Sequence, residues 1–138
     1  MKIAPYLHFV GTAENALSFY KEIFHAELVM LQRYSETPEY PVDGEMGNRV
    51  MHAYIRRGEN ELMFSDVKGS DVAFGTNNYI SINCTSDAEI TDLYTKLSAD
   101  AQKIGIALQD TFWGAKFAGF TDKFGVCWYL NWDKPKAA

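Results

Sequence analysis

The sequence predicts an α+β fold made of two copies of one β-α-β-β-β module. Three observations predict it. Two stretches of the chain each read as strand, helix and three strands. A shift that lays Thr12 on Ser86 also lays Ala16, Phe19, Tyr20 and Ile23 on Ile90, Leu93, Tyr94 and Leu97, so the two helices share one cap and one apolar stripe. Finally, 138 residues with 47% hydrophobic and 22% charged content suit a single globular domain over 1–138, with module one at about 3–67 and module two at about 78–132.

Module one opens with Ile3 to Val10, an apolar and aromatic run ended by Gly11, which reads as a buried strand. Thr12 is a fair N-cap for the helix that follows, and the stripe of Ala16, Phe19, Tyr20 and Ile23 gives that helix one buried face. It ends near His25, where an imidazole suits a helix C-terminus. Glu27 to Tyr34 is a second strand. Ser35 to Asn48 holds two prolines, two glycines and four acids without a base, and reads as a solvated loop. Val50 to Arg56 and Glu61 to Asp66 flank Arg57-Gly58-Glu59-Asn60 as a β-hairpin.

A polar connection, Lys68 to Asn77, leads to module two. Tyr79 to Cys84 alternates, which sends Ile80, Ile82 and Cys84 to one face and Tyr79, Ser81 and Asn83 to the other. Ser86-Asp87-Ala88-Glu89 spells a capping box at the head of the second helix. Its stripe is Ile90, Leu93, Tyr94 and Leu97, with Gly105 beyond its end. Three strands follow at Ile106 to Trp113, Lys116 to Thr121 and Val126 to Trp132, with turns at Gly114 and at Asp122 to Gly125.

Composition excludes several functions. A net charge of −5 with no basic run argues against binding a phosphate backbone, so no nucleic-acid partner is expected. Pro5, His8 and Gly11 interrupt any signal-peptide core, and no apolar stretch reaches the length of a membrane span, so a cytoplasmic protein with no membrane partner is expected. Cys84 and Cys127 lack metal-ligand spacing and read as small core residues. The run from Gly114 to Thr121 imitates a phosphate loop, but Phe120 stands where the lysine must be and no helix follows. Nine Phe, eight Tyr and three Trp are more aromatics than an average core needs, which suits either a dense core or a lined pocket.

The duplicated module is similar to the vicinal oxygen chelate superfamily, which contains glyoxalase I, extradiol dioxygenases and the bleomycin and fosfomycin resistance proteins. Within it the chain resembles the PhnB-like branch. The resemblance is carried by Pro5-Tyr6-Leu7 before Gly11, Ala16 through Lys21, Met51-His52-Ala53, Leu62 to Asp66, Asp110 to Gly114 and Thr121 to Trp128. It implies an open eight-stranded barrel around a central cavity with the helices outside, and a homodimer. In metal-dependent members four side chains hold a divalent ion. Those positions fall near Pro5, Phe64, Tyr79 and Tyr129, none a usual ligand, so neither a metal nor another cofactor is expected. Some relatives carry a demethylubiquinone methyltransferase label, yet no glycine-rich strand-to-helix turn is present to hold S-adenosylmethionine.

The expected site is the central cavity, bounded by Leu7, Phe9, His52, Phe64, Asp66, Tyr79, Trp113 and Tyr129. His52 and Asp66 on adjacent strands read either as an acid-base pair or as a hydrogen bond that fixes the hairpin. Strand alternation turns His8 under the first helix, and Trp128 belongs to the core. Tyr79 and Tyr129 share a face and read either as pocket or as core. The expected function is a metal-free protein that binds a small organic ligand. The alternative is an isomerase, lyase or dioxygenase-type enzyme using His52 and Asp66 or a relocated metal, and a third possibility is an accessory subunit acting through protein contacts.

Overall fold

Each predicted repeat folds as its own four-stranded mixed sheet in the computed structural model, which describes all residues except positions 40, 41, 43, 70, 137 and 138. In module one, β1 (Tyr6–Phe9), α1 (Ala13–Phe24), β2 (Glu27–Arg33), β3 (Val50–Arg57) and β4 (Asn60–Asp66) give the sheet order β1-β4-β3-β2. In module two, β5 (Ile80–Asn83), α3 (Asp87–Leu97), β6 (Lys103–Asp110), β7 (Ala115–Thr121) and β8 (Cys127–Asp133) give β5-β8-β7-β6. The first strand of each module pairs in parallel with the last and the remaining pairings are antiparallel, so the two modules share one topology. Both sheets are open, and their eight strands do not close into one hydrogen-bonded barrel. The chain divides into two compact units, Met1–Ala73 and Phe74–Ala138.

Sequence periodicity explains which face of each sheet is covered. The stripe of α1 buries Ala16, Tyr20 and Ile23, and the Tyr20 ring lies 6.0 Å from that of Phe64 on β4. Phe64 sits beside Leu7 and opposite Ala53, which places all three on the side of the sheet that α1 covers. In module two, Tyr94 of α3 meets Phe120 edge-on at 5.7 Å, and Phe120 lies opposite Trp128, which is fully buried. Trp128 is therefore a core residue, as expected. Its indole N–H donates to Asp122 at 2.8 Å, which satisfies the one polar atom it carries inward.

Local details depart from the sequence reading where tertiary partners intervene. The first strand begins at Tyr6, not Ile3, because Pro5 can offer only its carbonyl to β4, where Met63 N–H donates to it at 3.0 Å. The expected loop from Ser35 to Asn48 contains a 3-10 turn at Tyr34–Glu36 and a short helix, α2 (Gly44–Asn48), while its residues 40, 41 and 43 lie outside the described ones. Tyr34 is drawn in by its hydroxyl, which donates to the Asp66 carbonyl at 2.8 Å. β6 starts at Lys103, three residues earlier than Ile106, because pairing with β7 extends to Thr121.

The two helix caps differ. Ser86 accepts from Glu89 N–H at 3.1 Å while the Glu89 carboxylate accepts from Thr85 N–H at 3.2 Å, so the capping signal is realised with its return bond one residue early. Thr12 makes no side-chain cap, since its backbone (φ −109°, ψ 7°) is not the extended form a capping residue adopts. Asp66 supplies the acceptor instead: its carboxylate receives the N–H groups of Gly11 at 2.7 Å and Ala13 at 3.0 Å. At the other end of α1, His25 takes the left-handed conformation (φ 52°) and its N–H donates to the Glu22 carbonyl, closing the helix.

Candidate functional site

The helices leave the second face of each sheet uncovered, and the expected site residues divide between covered and uncovered faces. In module one the covered face holds Phe9, Phe64 and Asp66, at 1%, 0% and 2% exposure, together with Leu7. Phe9, Phe64 and Asp66 pack in the module core, and Leu7 lies half-buried beside them on the same face. The reason is strand parity: positions 7 and 9 on β1 and 64 and 66 on β4 all face the side on which α1 lies.

Asp66 is not paired with His52. Its second oxygen accepts from Val50 N–H at 3.0 Å, so the carboxylate ties three backbone donors from the start of β3, the β1–α1 turn and the helix itself. Ala53 faces the covered side, so its neighbour His52 faces the other way, and its Nδ1 lies 2.7 Å from the Tyr6 hydroxyl. The expected hairpin bond between His52 and Asp66 is thus replaced by a bond from His52 to β1, across the intervening strand β4.

The uncovered face of module one is polar and ring-rich. Tyr6 and Tyr54 flank Met63, one from each neighbouring strand. His8 is exposed on this face and meets the Tyr6 ring edge-on at 5.0 Å, and His52 lies 6.0 Å from Tyr54. His8 is therefore not under α1, because the covered residues of β1 are the odd-numbered ones. Burial raises the Tyr6 hydroxyl above its ordinary value, opposed by the Ser65 hydroxyl, which keeps it a neutral phenol at physiological pH. Toward the far end of the sheet Glu61 is tied to Lys2 at 2.9 Å and Arg56 at 2.8 Å, and these two cations hold its carboxyl below the usual range.

Module two presents an aromatic face. Tyr79 and Tyr129 stack at 4.1 Å and 14° between planes, Phe117 lies 5.1 Å from Tyr129, and Trp113 lies 6.0 Å from Phe117. The four rings form a continuous row, half-buried at Tyr79, Phe117 and Tyr129 and 56% exposed at Trp113. Gly119 lies opposite Tyr129 on β7, and a Cβ there would stand 2.7 Å from the Tyr129 ring. The bare backbone is what lets that ring lie flat on the sheet. Ile80 and Ile82 pair with Trp128 and Leu130 on the covered side, so the expected split between them and Tyr79 and Ser81 matches the strand register.

Sequence reasoning missed Tyr6, Tyr54, Phe117 and Gly119. Alternation counted outward from fully apolar Phe64 and Ala53 would have found the first two. Gly119 carries no periodic signal, since its role appears only when Tyr129 is placed opposite it.

Both cysteines are buried, and burial pushes the Cys84 thiol up to about 11, which makes it a poor nucleophile. Among the described residues no group of three His, Cys, Asp or Glu side chains is placed to hold a metal ion, and no helix is long and apolar enough to cross a membrane. The β1–α1 turn has one glycine, and the N–H groups of Gly11 and Ala13 both serve Asp66. The β5–α3 turn has none. Neither turn fits the glycine-rich cradle that a nucleotide-like cofactor such as S-adenosylmethionine takes in a doubly wound fold.

Paired β-α-β-β-β modules, each with a helix on one face and a helix-free second face, have the glyoxalase and bleomycin-resistance fold. The genomically encoded fosfomycin resistance protein FosX of Listeria monocytogenes shares that fold at a TM-score of 0.65 and 14% identity, over 94% of this chain and 91% of its own. The chain belongs to the PhnB-like family described as 3-demethylubiquinone-9 3-methyltransferase, whose family model matches residues 1–131. It is similar to protein PA1353 of Pseudomonas aeruginosa, with 30% identity, a TM-score of 0.87, and 98% of this chain and 99% of that one covered. It is also similar to a putative 3-demethylubiquinone-9 3-methyltransferase, PhnB protein, of Bacillus cereus, with 29% identity, a TM-score of 0.81, and 96% and 99% covered.

Proposed function

We propose that this chain is a metal-independent small-molecule binding protein of the cytoplasm that takes a planar, amphipathic organic ligand on its helix-free sheet faces. The observation that carries this reading is the ring row of module two. Trp113, Phe117, Tyr129 and Tyr79 offer π-faces in sequence on a surface that no element of their own module covers. A dense core would have enclosed those rings, as it encloses Trp128. Ser81, Asn83 and Asn131 share the face by strand register, so a few polar groups are available to orient what stacks there.

The methyltransferase description finds no support in the strand-to-helix turns, which lack the glycine-rich cradle of a doubly wound fold. An isomerase, lyase or dioxygenase activity has lost its expected pair, since Asp66 serves three backbone amides.

Replacing both Tyr79 and Tyr129 by Ala should weaken a planar ligand such as 1-naphthol by about 1–3 kcal/mol while leaving the fold intact, read by quenching of Trp113 fluorescence and by circular dichroism. Equal affinity in the double variant and the parent would overturn the assignment of the ring row as the binding surface.

Metal independence is supported by the side chains themselves: among the described residues no group of three His, Cys, Asp or Glu is placed to hold a metal ion, and burial together with Cys127 and Tyr129 pushes the Tyr79 phenol up, away from the phenolate a metal would need. We further propose a homodimer, supported by the exposed apolar residues Leu28, Val29 and Met30 on edge strand β2 and Ile104 and Ile106 on edge strand β6. Gently purified protein should contain no stoichiometric Zn, Ni, Mn or Fe and should scatter light as twice its 15.6 kDa chain mass. One metal ion per chain, or a monomer at high micromolar concentration, would refute the corresponding half of this expectation.

A further inference from the structure

We propose that the ring row of module two ends in a cation site, where Asp133 takes the ammonium group of an aromatic amine whose ring stacks on Phe117 and Trp113. The proposal rests on the ring-stacking reading above and deepens it by naming the charge that the ligand carries.

Strand register brings the carboxylate to the rings. Tyr129, Asn131 and Asp133 lie opposite Gly119, Phe117 and Ala115, so alternation sets all three side chains on the helix-free face. The Asn131 amide donates to Oδ1 of Asp133 at 3.1 Å, which ties the carboxylate to the residue opposite Phe117. Its other oxygen has no partner, and the exposed Asp133 joins no ion pair among the described residues. The neighbouring cations are committed elsewhere: Lys134 pairs with Asp110 and Lys116 with Asp87. Lys136 is exposed three residues on. Lys103 stands opposite Thr121, at the far end of β7, about 20 Å from Ala115 by strand rise.

A second observation points to the same end of the sheet. Phe112 and Trp113 are 97% and 56% exposed, with their rings edge-on at 4.9 Å. The turn that carries them is nevertheless fixed. Thr111 N–H donates to the Ala115 carbonyl at 2.9 Å, Ala115 N–H to the Thr111 hydroxyl at 3.0 Å, and Lys134 N–H to the Gly114 carbonyl at 3.0 Å. The last of these bonds anchors the turn to the chain just after Asp133. Two rings are thus held out in water beside an unpaired carboxylate, with no core to gain from them.

An organic ammonium is the group that both features recognise. The carboxylate attracts its charge, and the indole offers the best of the aromatic faces for a cation. An anion would be repelled by Asp133. Two residues of strand rise, about 7 Å, separate the level of Phe117 from that of Asp133, so a ring stacked on Phe117 reaches the carboxylate with a short aminoalkyl arm. A net charge of −5 draws such a ligand toward the chain.

The test is calorimetry of the full-length chain at pH 7 and low salt with 1-naphthylmethylammonium, 1-naphthylmethanol and 1-naphthoate. The ammonium should bind about five- to tenfold more tightly than the alcohol, and the carboxylate more weakly than either. Raising the salt to about 0.5 M should shrink the ammonium's advantage. Asp133→Asn should abolish that advantage and leave the alcohol's affinity unchanged. Asp92→Asn, which alters net charge equally at a carboxylate paired with Lys96 on α3, should keep it. In the parent protein the Asn131 side-chain amide signals should shift further in NMR with the ammonium than with the alcohol, a readout that needs no variant.

An ammonium that binds within about twofold of the alcohol, or an advantage that survives Asp133→Asn, would overturn the proposal while the alcohol's binding upholds the ring-stacking reading. If none of the naphthyl probes binds, the proposal and that reading fall together.

Discussion

Asp66→Ala should lower the stability of the chain by about 3–5 kcal/mol, because it strands three backbone N–H groups that a buried carboxylate now satisfies. For a chain of this length that corresponds to a fall in Tm of roughly 10–20 °C. The loss is concentrated where β1, α1 and β3 meet, since Gly11, Ala13 and Val50 contribute the three donors. Asp66→Asn retains an oxygen but turns an amide N–H2 toward at least one backbone N–H, and should fall between parent and Ala. Calorimetry of the three proteins measures the series. A change under about 3 °C in Asp66→Ala would mean that the carboxylate is not structural, and would reopen its role as an acid-base group.

Phe64→Ala should cost about as much, 3–5 kcal/mol by analogy with other buried aromatic truncations. The ring is fully buried between Leu7 and Ala53 and faces Tyr20 of α1. Tyr129→Ala, by contrast, removes a half-exposed ring from an uncovered face and should cost on the order of 1 kcal/mol. Urea denaturation of both variants gives the ranking directly. If Phe64→Ala were the milder of the two, Phe64 would belong to a ligand surface and the face assignment of module one would be inverted.

The fold was legible because its evidence is periodic and repeated. The stripes on α1 and α3 and the Ser86 to Glu89 box are local signals, and the second module restates the first, so each strengthens the other. Part of the aromatic face was legible for the same reason: Tyr79 alternates with Ile80 and Ile82, and Tyr129 with Trp128 and Leu130, so parity put the two tyrosines on one face, while it left open whether that face was pocket or core and did not bring in Phe117. The face of module one was misread because the expected cavity took in Leu7, Phe9 and Phe64, which the strand register puts on the side that α1 covers, and this left Tyr6 and Met63 unnoticed. Asp66 illustrates a different limit. Its partners lie at Gly11, Ala13 and Val50, and no short-range pattern announces a carboxylate that caps a helix from another strand.

The turn from Asp122 to Gly125 has a consequence for the distant ring row. Asp122 accepts from the N–H groups of Phe124 and Val126 and from the Trp128 indole, which fixes the length of the turn and thereby the pairing of Gly119 with Tyr129 on the strands beyond it. An insertion or deletion of one residue there would shift the hairpin by a position, and some other residue would then stand beneath the tyrosine. A chain that lays a ring flat at this position must therefore keep the count of residues between glycine and tyrosine. That spacing, more than the aromatic content itself, is the mark by which chains that have kept this surface can be sorted from those that have lost it.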